Sequence, residues 1–155
     1  MHRSIKAGAI FLSGAVEIQI SSRFTIAIHI LTCIDYFSGQ FAITSDFLAS
    51  SIQVNPVIIR RLLLQLKAAG MINIKRGKTG MNLAKSLGEI TLYDIYKAVD
   101  CVEGDLFHFH ENPNPKCPVG KNIHFALDDS LHEIQFAMEE KLRSFTVRDI
   151  AKKIK

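Results

Sequence analysis

The spacing of apolar and polar positions along this chain predicts several helices and one short hairpin. Between residues 55 and 68 the apolar positions recur at i, i+3, i+4 and i+7, which places them on one side of a helix. These positions are Ile59, Leu62, Leu63 and Leu66. Asn55 and Pro56 suit the start of this helix, because Asn caps free N–H groups and Pro needs no N–H partner at the first position. Gly70 suits its end, where a left-handed C-cap is expected.

A shorter helix precedes this one and a hairpin follows it. Cap residues at 44–46 begin the shorter helix, and residues 53–54 form the turn between the two helices. After Gly70, residues 71–75 and 81–84 form two short strands around a tight turn. Helix, turn, helix and hairpin in this order are typical of a winged helix-turn-helix.

The first predicted helix, from Ser22 to about Phe37, carries two apolar stripes. One stripe contains Phe24, Ala27, Ile28, Leu31 and Ile34, and the other contains Ile26, Ile30, Cys33 and Phe37. A helix that is apolar on two sides must be covered twice. We expect one stripe to pack on the helix-turn-helix core and the other to face a partner subunit or the long C-terminal helix.

A short helix and a long helix follow the hairpin. Thr91 and Asp94 form a capping box for the short helix. From about Lys121, apolar residues spaced by three and four positions form one seam over about 25 residues, a pattern that packs along another helix. The seam consists of Ile123, Leu127, Leu131, Ile134, Met138, Leu142 and Phe145. The rest of the chain is too small to cover this seam, so it predicts a homodimer. Thr146 and Asp149 then cap a short final helix.

These elements predict a mainly α fold with a small β-wing, in which a long C-terminal dimerisation helix follows a winged helix-turn-helix domain. We divide the chain into a leader (1–17), the DNA-binding domain (18–84), a connecting helix with a Cys/His/Pro loop (85–120), and the dimerisation and terminal helices (121–155). We interpret the leader as a disordered, upstream or added extension, and the alternative is a secretory signal, of which it has the faint form. No stretch approaches the ~18 apolar residues of a membrane span, so no membrane partner is predicted.

Charge is unevenly distributed along the chain. Of 155 residues, 48% are apolar and 22% charged, as in a globular protein, and the net charge is +4. Residues 55–80 contain six Lys or Arg and no Asp or Glu, whereas acidic residues cluster between 128 and 140. This basic block favours a polyanionic partner. The three cysteines do not form a disulfide framework, which favours the cytoplasm.

The chain resembles the Rrf2 family of bacterial transcription regulators over about residues 18–154. The matching segments are Ser22-Arg23-Phe24, Asn55-Pro56-Val57, Arg60-Arg61-Leu62-Leu63, Leu66–Ile72, Gly77-x-x-Gly80, Leu83-Ala84-Lys85, Glu89–Ile95 and Ala98-Val99-Asp100. Residues 112–120 resemble the YwnA-like branch of the family. The resemblance implies a cytoplasmic homodimer that binds a palindromic operator in double-stranded DNA.

We predict that the DNA interface lies on the second helix of the motif and on the wing. Arg60 and Arg61 are candidates for base contacts, because the guanidinium fork matches O6 and N7 of guanine. Cations on the wing would contact phosphates or the minor groove. The predicted DNA-binding residues are Arg23, Thr44, Ser45, Asn55, Pro56, Val57, Arg60, Arg61, Lys67, Lys75, Arg76, Lys78 and Thr79.

The loop between residues 101 and 120 leaves two metal hypotheses open. Several members of the family hold an iron–sulfur cluster on three closely spaced cysteines after the wing. Here only Cys101 and Cys117 lie in that region, and fifteen residues separate them, which departs from the pattern. Cys101, His108, His110 and Cys117 together are a possible zinc set, although no C-x-x-C hook is present. We predict no bound cofactor.

Thiol chemistry is a further hypothesis for this loop. Cys117 directly precedes Pro118, as the N-cap of a helix would, and a helix dipole there would lower its pKa. Redox sensing would then use Cys117, either with Cys101 or with Cys33 at a dimer interface. Alternatively, the cysteines are small buried hydrophobes.

The sequence therefore predicts a sequence-specific DNA-binding repressor without enzymatic activity or a small-molecule substrate. No nucleophile–base grouping or phosphate loop is evident, and Gly77-x-x-Gly80 is too weak a motif for nucleotide binding. A metal-dependent sensor and a winged-helix adaptor that binds proteins are the alternatives. The unopposed basic run favours DNA over the adaptor.

Overall fold

Six α-helices and one two-stranded sheet make up the part of the chain that the computed structural model describes, which is residues 21–75, 80–100 and 106–154. In chain order these are α1 (Arg23–Tyr36), α2 (Ser45–Ile52), α3 (Pro56–Ala68), β1 (Ile72–Ile74), β2 (Met81–Leu83), α4 (Leu92–Ala98), α5 (Pro118–Arg143) and α6 (Val147–Ala151). A 3₁₀ turn (Leu87–Glu89) precedes α4. The strands pair antiparallel, with Asn73 opposite Asn82. This confirms the mainly α fold with a small β-wing.

Helix α1 lies at the centre of the hydrophobic core. It contacts α2, α3, β2, the 3₁₀ turn, α4 and α6. Ile30 and Cys33, which belong to its second apolar stripe, are buried within the chain. Ala27, Leu31 and Ile34 of the first stripe are buried as well, so our expectation that one of the stripes faces a partner subunit or the long helix was wrong. Cys33 and Phe37 of the second stripe instead contact Ser51 and Phe47 of α2.

The segment after the wing is hydrogen-bonded to the C-terminal end of the chain. Leu92 N–H donates to the Phe145 carbonyl at 2.9 Å, and Val147 N–H donates to the Ile90 carbonyl at 2.9 Å. The buried faces of α4 and α6 share the core with α1. Thr91 begins α4 with the predicted capping box to Asp94. The part of residues 85–120 that forms α4 is thus built into the DNA-binding body.

Helix α5 differs from the others because none of its 26 residues is buried. It begins at Pro118, three residues earlier than the apolar seam indicated. Near its C-terminal end, Met138 and Leu142 pack against the core. The Arg143 guanidinium lies 3.3 Å from the centre of the Tyr93 ring, a cation–π contact that attaches α5 to α4.

Several predictions fall outside the described residues: the leader at 1–17, the wing residues Arg76, Lys78 and Thr79, and Cys101. Among the residues that are described, no single helix has the length and apolar composition needed to cross a membrane. Helices α2 and α3 meet that test only as a joined pair, which is bent by 117°.

Candidate nucleic-acid interface

Local capping residues fix the relative placement of α2 and α3. Thr44 Oγ1 accepts a hydrogen bond from Phe47 N–H at 3.1 Å, so Thr44 is the N-cap of α2. Gln53 turns the chain with a left-handed backbone, at φ +60°. Asn55 Oδ1 then accepts from Val57 N–H at 2.8 Å, and Pro56 is the first residue of α3. The predicted helix, turn and helix are confirmed.

Helix α3 has two faces of opposite character. Its four predicted core residues are all buried: Ile59, Leu62, Leu63 and Leu66. Arg60, Arg61 and Lys67 are exposed, and the helix contains no acidic residue. Val57 and Leu64 are 66% and 65% exposed, although both are large apolar side chains. The structure therefore presents an outer face that combines cations with apolar groups.

Asp46 on α2 contacts this face, which the sequence did not predict. Its Oδ1 lies 3.3 Å from Arg60 Nη2, and the two side chains are 80% and 60% exposed. Exposed ion pairs contribute at most about 1 kcal/mol, so Arg60 can exchange Asp46 for another anionic group at small cost. Asp46 directly follows the predicted contact residues Thr44 and Ser45. The sequence indicated only that it lies at the start of a helix, and not that it contacts Arg60.

The wing is attached to the segment before α2 at Gly80. Met81 N–H donates to the Ile43 carbonyl at 3.1 Å, and Lys75 N–H donates to the Gly80 carbonyl at 3.1 Å. Gly80 has φ +60°, and an added Cβ would lie 2.5 Å from the Ile43 oxygen. Only glycine tolerates both this positive φ and this close approach to Ile43. Lys75, the one predicted wing cation among the described residues, is exposed beside this junction.

The remaining predicted contact residues lie at the starts of helices. Ser45 is the first residue of α2, next to its N-cap, and Asn55 and Pro56 open α3. At the start of α3, Pro56 has no N–H, and the Val57 and Ile58 N–H groups already donate to Asn55, so phosphate binding there would use the Asn55 side chain. Arg23 is the first residue of α1 and is partly buried. The structure thus groups the α2 and α3 residues on one motif, while Arg23 belongs to a separate element.

Cys33 and Cys117 occupy different environments. Cys33 is buried in α1 with its Sγ 3.8 Å from Ser51 Oγ. Burial raises the pKa of the Cys33 thiol, although the contact with Ser51 acts in the opposite direction. A buried, protonated thiol is a poor nucleophile. The structure therefore does not support Cys33 as a redox residue at a dimer interface.

Cys117 is the N-cap of α5, as its position before Pro118 predicted. Its side chain does not close a regular cap hydrogen bond, but the backbone N–H groups of Gly120 and Val119 lower the pKa of the Cys117 thiol. The loop is closely packed here: Cys117 N–H donates to the Asn114 carbonyl at 3.1 Å, and a Cβ on Gly120 would lie 2.6 Å from that same oxygen. These contacts hold the thiol at the positive end of the helix.

The donor set among the described residues does not fit a metal centre. No three His, Cys, Asp or Glu side chains in that part of the chain are grouped so that they could hold a metal ion. His108 and His110 are exposed, and the His110 ring contacts His124 with 5.3 Å between ring centres. A cluster normally needs four protein ligands, whereas Cys33 is in the core and Cys117 caps α5. Among the described residues, no donor set therefore fits iron or zinc.

The helix-turn-helix, the attached hairpin and the cationic outer face of α3 define a winged helix-turn-helix DNA-binding protein. The family model for Rrf2, described as an iron-dependent transcriptional regulator, matches residues 20–153. The chain therefore belongs to the Rrf2 family of transcriptional regulators.

Individual relatives agree with this assignment. The chain is 43% identical over 132 residues to YwnA of Bacillus subtilis, a candidate HTH-type transcriptional regulator, and the match covers 85% of this chain and 96% of YwnA. A crystal structure of a candidate DNA-binding protein is similar at 36% identity, with a TM-score of 0.66 and coverage of 83% of this chain and 98% of that one. CymR, the global cysteine regulator of B. subtilis, shares the fold at 21% identity, with a TM-score of 0.61 and coverage of 86% and 96%.

Proposed function

We propose that this protein is a transcriptional repressor in the cytoplasm that binds a palindromic DNA operator as a homodimer. The observation that carries the proposal is the outer face of α3. Arg60, Arg61 and Lys67 are exposed there, on a helix without acids whose opposite face is fully used in the core. A helix of this kind, held by its buried face, can enter the major groove with its cations toward DNA.

Most of the predicted contact residues have one of three roles in this proposal. Arg60 and Arg61 read base edges, because an Arg fork bonds guanine O6 and N7 together. Lys67 and the helix starts bind phosphates and so fix the register of the protein on the duplex. The helix-start residues that bind phosphates are Arg23, Thr44, Ser45 and Asn55, whereas Pro56 has no N–H to donate and serves to begin α3. Lys75, Arg76, Lys78 and Thr79 act from the wing.

Helix α5 supports the homodimer. Leu127 and Ile134, two members of its predicted seam, are exposed in the single chain, and Ile134 is 52% exposed. A 26-residue helix that buries no residue within its own chain needs the surface of another molecule to cover its apolar seam. A second copy provides a matching seam, and a two-fold dimer matches an operator with two related half-sites.

We also propose that the repressor responds to thiol modification at Cys117. The lowered pKa of this thiol increases the thiolate fraction, which is the reactive form. Modification at the N-cap would disturb the start of α5, and therefore the distance between the two recognition helices in the dimer. Cys101 is the candidate partner thiol for this chemistry.

Selection from a pool of random-sequence duplexes tests the proposal. The wild-type protein should enrich a palindromic site whose half-sites lie about one helical turn apart. Arg61→Ala should lose the enrichment, whereas Lys153→Ala, which removes an exposed cation beyond α6, should retain it. If the duplexes recovered with the wild-type protein showed no enriched sequence, the proposal would be contradicted.

A further inference from the structure

We infer that Val57 and Leu64 recognise thymine methyl groups in the major groove, on either side of the base that Arg61 reads. The inference rests on the proposed function and specifies what the outer face of α3 recognises. It starts from an anomaly: on a helix of 13 residues, two large aliphatic side chains are about two-thirds exposed although the helix already has a complete buried face.

The spacing of these residues places them in one row. Val57, Arg61 and Leu64 lie at i, i+4 and i+7, so their side chains project from the same side of α3. Ala68 continues the row with a small side chain and is also exposed. Along this row Arg61 is the one residue that can donate a hydrogen bond to a base. The other positions can make only apolar contacts.

The charges around the row identify its partner as DNA and not as another protein surface. Arg60 and Lys67 both lie on one flank of the row, and α3 contributes three cations and no anion. A protein partner would have to bring several acids to such a surface, whereas phosphates line both sides of every major groove. Within that groove the thymine C5-methyl is the one apolar group that a base pair presents.

Apolar side chains also select against the other base pairs. A leucine or valine placed over guanine or cytosine would cover polar groups of the base and give them no partner, which is unfavourable. The row therefore favours A·T pairs in two ways: it contacts the thymine methyl group, and it leaves the polar groups of guanine and cytosine without partners. Seven residues span about 10 Å of helix axis at 1.5 Å per residue. Since base pairs are about 3.4 Å apart, the two thymines should lie about three base pairs apart in each half-site.

Replacing single thymines by deoxyuridine in the selected operator tests this inference, because the change removes only the methyl group. For the wild-type protein, affinity should fall about three- to fivefold at two positions in each half-site. Val57→Ala should abolish the effect at one of these positions, and Leu64→Ala at the other. Ile154→Ala, which truncates a comparably exposed apolar side chain beyond α6, should leave both effects in place.

The other outcomes are separable. If the selected operator is bound specifically and no deoxyuridine substitution changes its affinity, the inference is wrong and the proposed function stands. If deoxyuridine weakens the wild-type protein and both alanine variants equally, the methyl groups act through DNA shape, and the inference is again wrong. If no operator can be selected at all, the proposed function fails, and this inference fails with it.

Discussion

Helices α3 and α5 both expose large apolar side chains, but the charges around those side chains are opposite in sign. Helix α3 carries three cations and no acid, and it exposes Val57 and Leu64. Helix α5 carries five acids and three cations, and it exposes Leu127 and Ile134 of its seam. We propose that the exposed apolar surface of each helix is a binding site and that the charge indicates what is bound. On this basis α3 suits a polyanion, and α5 suits a protein surface.

The two helices also differ in how the rest of the chain holds them. One face of α3 is buried along its whole length, by Ile59 at its start and Leu66 near its end. By contrast, α5 reaches the core near its C-terminal end, where Arg143 stacks on Tyr93, while His124 and Gln135 contact the loop before the helix. A rigidly held helix can read a sequence, and a loosely covered helix needs a partner to complete its packing.

The largest effect should come from a charge in the seam of α5. Ile134→Glu would place an unpaired carboxylate in the proposed dimer interface, so the protein should sediment as a monomer. A monomer binds each half-site separately, whereas a dimer binds both at once. Operator affinity should therefore fall by about 10²- to 10⁴-fold. Phe136→Glu is the matched control on the opposite side of the helix and should remain dimeric. A monomeric wild-type protein, or a dimeric Ile134→Glu variant, would contradict this assignment.

Truncation of the buried face of α3 should affect folding, and truncation of its outer face should not. Leu62→Ala removes a fully buried side chain and should lower the free energy of unfolding by about 2–5 kcal/mol. Leu64→Ala, two residues away and exposed, should change it by no more than about 0.5 kcal/mol. Urea denaturation of both variants at one protein concentration provides the measurement. Equal destabilisation by the two would mean that the outer face is covered within the chain.

The division of α3 into buried and outer faces could be predicted because it depends on residues close together in sequence. The i, i+3, i+4, i+7 spacing identified the core residues, and Thr44, Asn55 and Gly70 marked helix ends that the structure confirms. The capping box of Thr91 is equally local.

Contacts between distant parts of the chain could not be predicted in the same way. Helix α1 contacts α4 and α6, which lie more than 55 residues later in the chain, and no local pattern indicates that pairing. The contact of Asp46 with Arg60 and the close approach of Gly80 to Ile43 also depend on the tertiary fold. For the candidate site, the cationic face was evident from sequence, but the acidic neighbour was not.

A wing cation should act without sequence preference. Lys75 is exposed next to the junction of the wing with the body, and its predicted contact is to phosphate. Lys75→Ala should therefore weaken operator and random duplex about equally, and the slope of log affinity against log salt should decrease by about 0.9. Anisotropy titrations at several salt concentrations measure both quantities. A loss confined to the operator would instead assign Lys75 to base recognition.

The smallest expected effect concerns the reactivity of Cys117. Since the Gly120 and Val119 amides lower its pKa, the thiolate should form at a lower pH than in a free thiol, whose pKa is about 8.5. The alkylation rate should thus reach half its maximum below that pH, and Cys117→Ser should remove this fast phase. Cys33→Ser should leave it unchanged, because Cys33 is buried. Half-maximal alkylation of Cys117 at or above the free-thiol value would contradict the assignment.

The most direct test of the central claim is the affinity of Arg60→Ala and Arg61→Ala for the selected operator, measured beside their affinity for a random duplex. If the outer face of α3 reads base edges, each variant should lose about 1–3 kcal/mol of operator binding and much less binding to random DNA. Lys153→Ala should behave like the wild-type protein on both duplexes. Wild-type operator affinity in both Arg variants would contradict the claim that α3 is the recognition helix.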